Sequence, residues 1–316
     1  GIYSFGIMAI RGNMAFWQGL QTRLPFDASL LGTSILAPDM GGHAIARELA
    51  SSPAAAVFAG ALVSSTLGCT ISFVIPIFLG NLPGQDIPLV MNGLLRGILV
   101  LPFGLLLGGL LLGLRGWALF SLLWPVALLC LLLCLALAFF PRGMARGLAI
   151  FGNGIRILAI GLFCFTVAAI FFPGMDWLDS DLIQEILEIV FRIAVIVAGS
   201  SVLSDLLLRW GGKPLAALSL KLGINQYALL GLLLSLATGV AILPLFAKMD
   251  AKGKLANSAF AVSGAFVLGG QLAFIATVET PYHTGVYMAV KLVSGLAALL
   301  LVFLEARHKE RREQKG

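Results

Sequence analysis

One acidic side chain interrupts an apolar stretch of this 316-residue chain, in the sequence Pro38-Asp39-Met40-Gly41-Gly42. A carboxylate in apolar surroundings is costly, and it usually faces a cavity or an opposite charge. The glycines Gly41 and Gly42 allow the backbone to open here, which exposes carbonyl oxygens. A carboxylate together with carbonyl oxygens can bind a cation. The alternative interpretation is that Asp39 caps a short helix beginning at Met40.

Further polar residues could contribute to the same site. His43 follows Asp39 by four residues and therefore shares a helix face with it. It could sense protons or bind a solute, or it could be a hydrogen-bonded structural residue. In the second half of the chain, Thr238 offers a hydroxyl, and Gly239 permits a tight bend in the apolar segment Asn225–Phe246.

A polar stripe is expected on the following helix. Asn257 and Gln271 lie in a seven-residue rhythm with Gly264, which predicts one polar face toward a cavity. The alternative is that these amides form hydrogen bonds between helices. Asp205, which follows several serines, is a second acidic candidate for the cavity. Lys291 is expected to extend its amine toward a membrane interface.

The remaining titratable residues do not suggest a metal site, a cofactor site or a catalytic centre. None has the spacing of metal ligands. The cysteines lie in apolar stretches and the histidines are dispersed, at positions Cys69, Cys130, Cys134, Cys164, His43, His283 and His308.

Membrane helices must position these residues, because the composition excludes a water-soluble fold. Apolar residues make up 59% of the chain and charged residues 11%, whereas soluble domains carry about 25% charged residues. Uncharged runs such as Trp117–Phe140 exceed the ~20 residues that a helix needs to cross ~30 Å of hydrocarbon. We therefore predict an all-α, polytopic integral membrane protein.

About seven full spans and two broken or re-entrant segments are predicted. The full spans are expected at Pro53–Leu79, Ile87–Leu114, Trp117–Phe140, Leu148–Phe172, Ile186–Leu208, Leu255–Val278 and Gly285–Leu304. The broken segments are Ala28–Leu49 and Asn225–Phe246.

Loop charges predict how these segments are arranged. With the basic C-terminus inside, the Lys and Arg residues on both sides of Asn225–Phe246 lie inside only if this segment is a re-entrant hairpin. The same count predicts a hairpin at Ala28–Leu49 that enters from the outside. A hairpin followed by two spans then occurs twice, once from each side. We expect this inverted repeat, which is typical of secondary transporters with a binding site near the midplane.

The chain ends in a basic tail, residues 305–316, which accounts for much of the net charge of +6. A basic cluster after a span is typical of a cytoplasmic surface against lipid rather than of nucleic-acid binding. We expect residues 1–316 to form a single transmembrane transporter domain in the plasma (inner) membrane, with a cytoplasmic C-terminus. We also expect a helix upstream of Gly1, and a homo-oligomer is compatible with the sequence.

Two parts of the sequence resemble a known family. They comprise Asp39-Met40-Gly41-Gly42 with Ala46-Arg47-Glu48-Leu49-Ala50, and Arg209-Trp210, Lys213-Pro214-Leu215, Lys248-Met249-Asp250, Gly253-Lys254 and Ala259-Phe260-Ala261-Val262-Ser263. Their order and spacing are similar to those of the EutH family, the membrane component of ethanolamine utilization. The similarity extends from about Gly32 to Leu304.

The resemblance implies uptake of ethanolamine across the inner membrane, and Asp39, Gly41 and Gly42 are the matching positions. Ethanolamine is mainly an ammonium ion near neutral pH, so a buried carboxylate would hold it. We predict a permease for ethanolamine or a related small amine that works by alternating access around a midplane cavity. Asp39 would pair with the ammonium, while Gln271 and the carbonyls of the broken helices would bind the hydroxyl. Facilitated diffusion and ion-coupled transport both remain open.

Two other functions compete with a permease. A membrane enzyme acting on lipid head groups would need two or more catalytic acids, or a metal cluster, at one interface. A membrane scaffold without transport would tolerate Asn in place of Asp39.

Overall fold

A computed structural model of the protein describes residues 10–171 and 212–313, and scattered single positions between these ranges. The described residues form helices and turns, without a strand among them, which confirms the all-α prediction. The helices are α1 (Met14–Arg23), α2 (Ser29–Thr33), α3 (Gly42–Leu49), α4 (Pro53–Asn81), α5 (Ile87–Leu111), α6 (Gly116–Phe139), α7 (Pro141–Phe171), α8 (Gly212–Leu222), α9 (Gln226–Ala237), α10 (Leu243–Phe246), α11 (Ala251–Ala261), α12 (Gly270–Val278) and α13 (Pro281–Glu313).

Within the described ranges, four helical segments are long and apolar enough to cross a membrane. They are Pro53–Asn81, Gly84–Leu111, Gly116–Phe139 and Pro281–His308. These segments coincide with four predicted spans to within a few residues. The predicted span Leu148–Phe172 coincides with the C-terminal part of α7, and Ile186–Leu208 lies outside the continuously described ranges. The total of seven spans and the inverted repeat stay predictions.

The prediction of a continuous span at Leu255–Val278 is wrong. Helix α11 ends at Ala261 and α12 begins at Gly270, and the residues between them form turns. The backbone freed by this break pairs with the end of α9, because the Phe266 amide donates to the Ser235 carbonyl at 2.9 Å and the Leu268 amide donates to the Leu236 carbonyl at 2.8 Å. These bonds allow a broken helix inside a membrane, where backbone groups need partners within the protein.

Helix α5 is the centre of the packing and contacts α6, α11 and α13. Glycines make these contacts close: a Cβ atom at Gly93 would lie 2.5 Å from the Ser258 side chain, and one at Gly104 would lie 1.7 Å from the Ser294 hydroxyl oxygen. Small residues allow membrane helices to approach each other in this way. Gly104 therefore permits the close packing of α5 against α13.

Helix α4 carries an unusual winding. From Phe58 to Gly68, and again from Thr70 to Val74, its turns have the wider π-helical form. Every residue from Phe58 to Gly68 is buried. Turns of this kind are rare and occur frequently at functional sites, and Cys69, Ser72 and Phe73 of this helix line a cavity. Helix α4 therefore contributes one wall of the site described below.

Candidate functional site

Helical structure is interrupted after α2, as the sequence predicts. Asp39 lies in this interruption and does not cap the helix that follows. Pro38–Met40 form one 3-10 turn, Gly41 has a φ of 100°, and α3 begins at Gly42 without a side-chain cap. The interpretation of Asp39 as a cap for a helix beginning at Met40 is therefore wrong. The left-handed backbone conformation at Gly41 is one that side chains disfavour. A Cβ atom at Gly42 would lie 2.1 Å from Ser64 Oγ, so both glycines shape the turn that carries Asp39.

A cavity of about 1030 Å³ lies where three interruptions of helical structure meet. The first is the turn that contains Asp39, the second is the end of α9 at Ala237 and Thr238, and the third is the start of α12 at Gly270 and Gln271. Among the described lining residues, Asp39 is the one carboxylate, and its residue is solvent-accessible. The cavity therefore presents one negative charge among mainly apolar and neutral polar groups.

A lysine lies behind one wall of the cavity. Lys291 is 1% exposed, and its Nζ donates to the Ser65 carbonyl at 2.9 Å and to Gln271 Oε1 at 2.8 Å. The amine also lies 5.5 Å from the centre of the Tyr287 ring. The expectation that Lys291 extends to a membrane interface is therefore wrong. The carbonyl of the wide π-turn in α4 and the amide of Gln271 hold this amine inside the protein.

The charges of Asp39 and Lys291 interact across the site. Within the described ranges, the two side chains do not form a direct ion pair, because the ion pairs within 4.0 Å join other residues. A buried charge needs a compensating charge. Asp39 and Lys291 can compensate each other while leaving the carboxylate accessible to a solute.

Phe266 lines the cavity in a strained backbone conformation. It has a φ of 63°, which is costly for a side chain other than glycine, by roughly 1–2 kcal/mol. Several contacts hold it: its amide bonds to Ser235, its carbonyl accepts from the Tyr287 hydroxyl at 3.2 Å, and its ring lies 5.7 Å from that of Phe73. Strained residues fixed in this way cluster at functional sites.

A second titratable cluster joins α3 to the corner between α12 and α13. The fully buried His43 donates from Nε2 to Glu279 Oε1 at 2.8 Å, and His283 donates from Nδ1 to Glu279 Oε2 at 2.7 Å. Burial raises the pKa of the Glu279 carboxyl, but the two hydrogen bonds outweigh burial, so this pKa lies below its ordinary value of 4.5. His43 thus links the helix after Asp39 to the C-terminal helices, and it does not line the cavity.

The Glu279→Ala variant is expected to be less stable than the wild type by about 1–3 kcal/mol, because the buried His43 loses its hydrogen-bond partner. A lowered carboxyl pKa stabilises the fold above pH 4.5, and this contribution is lost as the pH falls through the lowered value. The melting temperature of the purified protein, measured between pH 7 and pH 3, should therefore fall more for the wild type than for the variant. Equal acid sensitivity of both proteins would contradict this role.

The predicted site residues differ in their position relative to the cavity. Asp39, Thr238 and Gln271 line the cavity together. Asn257 does not, since its Nδ2 donates to the carbonyls of Ala228 and Gly253, both at 2.9 Å, in the packing of α9 against α11. The alternative of hydrogen bonds between helices is thus the one observed for Asn257. Gly41, Gly42 and Gly239 shape the breaks without lining this cavity, and Asp205 lies outside the described residues.

Sequence reasoning missed the roles of Lys291, Ser65 and Phe266. A lysine inside an apolar segment is a signal of function, but its partners lie 20 and 226 residues away in the chain. The Ser65 carbonyl is a backbone group and leaves no trace in the sequence. Gly264 and the pair Gly269-Gly270 were signals of the break that contains Phe266.

Membrane-length apolar helices around an internal cavity, with broken helices at its walls and one carboxylate among its described lining residues, are the features of an integral membrane protein. The chain belongs to the family described as "Ethanolamine utilisation protein, EutH", whose family model matches residues 1–304. This confirms the resemblance found in the sequence.

Named relatives are similar over most of the chain. A protein of Listeria monocytogenes named "Probable ethanolamine permease EutH" is 37% identical over 302 residues, which are 94% of this chain and 79% of the relative. A protein of Salmonella typhimurium with the same name is 32% identical over 79% of this chain and 67% of the relative. "Uncharacterized protein YxeR" of Bacillus subtilis is 33% identical over 88% and 75%. No solved structure matches the chain.

Proposed function

We propose that this protein is a permease that carries ethanolamine, or a related small primary amine, across the plasma (inner) membrane. The observation that supports this most strongly is Asp39, an accessible carboxylate in a cavity between broken helices. The names of the relatives support the same function. A membrane enzyme has less support: among the described residues, no cluster of three or more His, Cys, Asp or Glu could hold a metal.

The ammonium group of the substrate would pair with the Asp39 carboxylate. An ion pair is stronger in a water-poor cavity than in bulk water, because the surrounding dielectric is lower. The carboxylate is the one negative charge among the described lining residues, so it also sets the preference for cations. An uncharged solute would gain less from this charge, because it could offer only a hydrogen bond.

The substrate hydroxyl would bind at Gln271. The Oε1 atom of Gln271 already accepts from Lys291, so the amide nitrogen, which also interacts with the Cys69 thiol, is the group that would donate to the hydroxyl. A hydroxyl oxygen can accept that hydrogen bond, and its proton can reach the polar end of α9 near Thr238, which also lines the cavity. Asp39 and Gln271 together would recognise a molecule with a cation at one end and a hydroxyl at the other.

Alternating access would then require the walls of the cavity to move against each other. The two predicted re-entrant segments each break beside the cavity, at Pro38–Gly41 and at Thr238–Gly239. This convergence supports the proposed inverted repeat, in which each half supplies one broken segment. The basic residues at the C-terminal end of α13 support a cytoplasmic C-terminus.

Uptake of labelled ethanolamine tests the function. Cells that lack their own ethanolamine uptake, and express this chain, should accumulate label at low external concentration and mildly acidic pH, where the membrane-permeant neutral amine is scarce. Ethylamine lacks only the hydroxyl, so it should compete about tenfold less well than ethanolamine. A factor of ten corresponds to the loss of one hydrogen bond of about 1.4 kcal/mol. Cells with an empty vector are the control. Absence of uptake would reject ethanolamine as the substrate, and equal competition would reject the hydroxyl contact.

A further inference from the structure

The buried amine of Lys291 has two hydrogen-bond acceptors, as many as its neutral form needs. We propose that Lys291 is the fixed counter-charge of Asp39 and that it releases its proton when a substrate ammonium binds, so that transport exchanges one ammonium ion for one proton. This inference rests on the proposed permease function and specifies its coupling.

The number of hydrogen bonds made by Lys291 Nζ fits a neutral amine. A neutral amine has two N–H groups, and the two acceptors of Lys291, the Ser65 carbonyl and Gln271 Oε1, match that number. The charged ammonium has a third N–H group, for which no further hydrogen-bond acceptor is found among the described protein residues. Loss of one proton therefore leaves the amine fully hydrogen-bonded in its place, and the surrounding structure need not change.

The charges around Lys291 disfavour its protonated form once a substrate ammonium is bound. The titratable groups that act on Lys291 are Asp39 in the broken segment, Cys69 on α4 and Tyr287 on α13 itself. Asp39 is the carboxylate among them. A substrate ammonium at Asp39 would leave two cations to share one carboxylate in a low-dielectric interior, which is strongly unfavourable.

The charged residues of the neighbouring helices do not relieve this conflict. On α5, the Arg96 guanidinium is paired with Glu305, and on α11 the Lys254 amine is paired with Asp86 at 2.7 Å. Lys252 on α11 lies 5.3 Å from the centre of the Phe303 ring. Proton release from Lys291 is then the way to restore the charge balance.

The proton balance follows from these states. On the outer side, a substrate ammonium binds to Asp39, and Lys291 releases one proton outward. On the inner side the ammonium leaves, and Lys291 takes up one proton from the cytoplasm before the empty carrier returns. Each cycle moves one ammonium ion in and one proton out, with no net charge. The result equals the passage of the neutral amine, so the membrane potential should not drive accumulation.

Proteoliposomes that contain this chain can test the exchange. A potassium gradient with valinomycin, at equal pH on both sides, would impose a negative interior potential of about 100 mV. This potential drives a freely moving monovalent cation to roughly fiftyfold accumulation. With exchange, labelled ethanolamine should reach the same level with and without this potential, and an internal pH dye should report alkalinization in step with uptake. Protein-free vesicles correct for passive entry of the amine.

Two variants separate proton release from a structural role. Arg keeps its proton under all relevant conditions, so Lys291→Arg should lower uptake by about tenfold or more, whereas the exposed control Lys248→Arg should not. Lys291→Met has no proton to release, so whatever uptake it shows should follow the potential and proceed without alkalinization. The wild-type measurement can overturn the exchange even if a variant does not fold.

The outcomes are distinguishable. Wild-type uptake that rises with the potential, without a matching change of internal pH, would overturn the exchange and leave the permease intact. Absence of any uptake above that of protein-free vesicles would overturn the permease itself, and the exchange with it.

Discussion

Replacing Asp39 by Asn is expected to lower ethanolamine uptake by about a hundredfold when the external concentration is far below saturation. The amide keeps the size of the side chain but removes the charge that pairs with the ammonium. Loss of one partner from a desolvated charge pair costs about 3 kcal/mol, and each 1.4 kcal/mol is worth about a factor of ten. Initial uptake rates of labelled substrate, normalised to the amount of protein in the membrane, measure this effect.

The folded state of the Asp39→Asn variant should persist, because Lys291 keeps its bonds to Ser65 and Gln271 in the neutral form. A matched control is Glu305→Gln, which removes a carboxylate that pairs with Arg96 away from the cavity. The control should transport at nearly the wild-type rate. A normally folded Asp39→Asn variant with wild-type uptake would remove Asp39 from the substrate site.

Replacing Gly269 by Ala is expected to disrupt the meeting point of the broken helices. A Cβ atom at this position would lie 1.8 Å from the Ala237 carbonyl oxygen. That oxygen belongs to the last residue of α9 and cannot rotate away as a side chain would. We expect a loss of at least about 3 kcal/mol of stability, since overpacking that must displace backbone lies at the upper end of its usual cost.

Thermal unfolding of the purified protein measures this loss, and the melting temperature should fall by roughly 5–10 °C. The control is Gly285→Ala in α13, where a Cβ atom would meet no atom within 4 Å. The control should be as stable as the wild type. A Gly269→Ala protein with an unchanged melting temperature would show that the contact between the two breaks has room to relax.

The helical membrane fold was predictable because length and hydropathy act locally. The charge-free run in α6 and the break around Asp39 are both visible in the sequence, and both occur at the expected residues. The break between α11 and α12 was missed because its residues are apolar and form a continuous hydrophobic run. Its cause is the backbone pairing of Phe266 and Leu268 with α9, a contact that hydropathy does not encode.

The candidate site was predictable in part. Asp39, Thr238 and Gln271 were found because polar groups at breaks in apolar segments stand out, and these residues do line the cavity. Lys291 was assigned to the membrane interface because a long side chain can reach water from inside a span. Whether it does so depends on acceptors supplied by other helices, and here those are Ser65 and Gln271.

The order in which a ribosome makes the chain has a consequence for the buried amine. Lys291 lies 226 residues after Ser65. At a synthesis rate of about 5–20 residues per second, Lys291 is made roughly 10–45 s after Ser65. Glu279, the hydrogen-bond partner of His43, is likewise made 236 residues after it. Until α13 is inserted, the first half of the chain holds Asp39 in the bilayer without its counter-charge. Biogenesis therefore completes the charge balance of this cavity only when α13 is inserted.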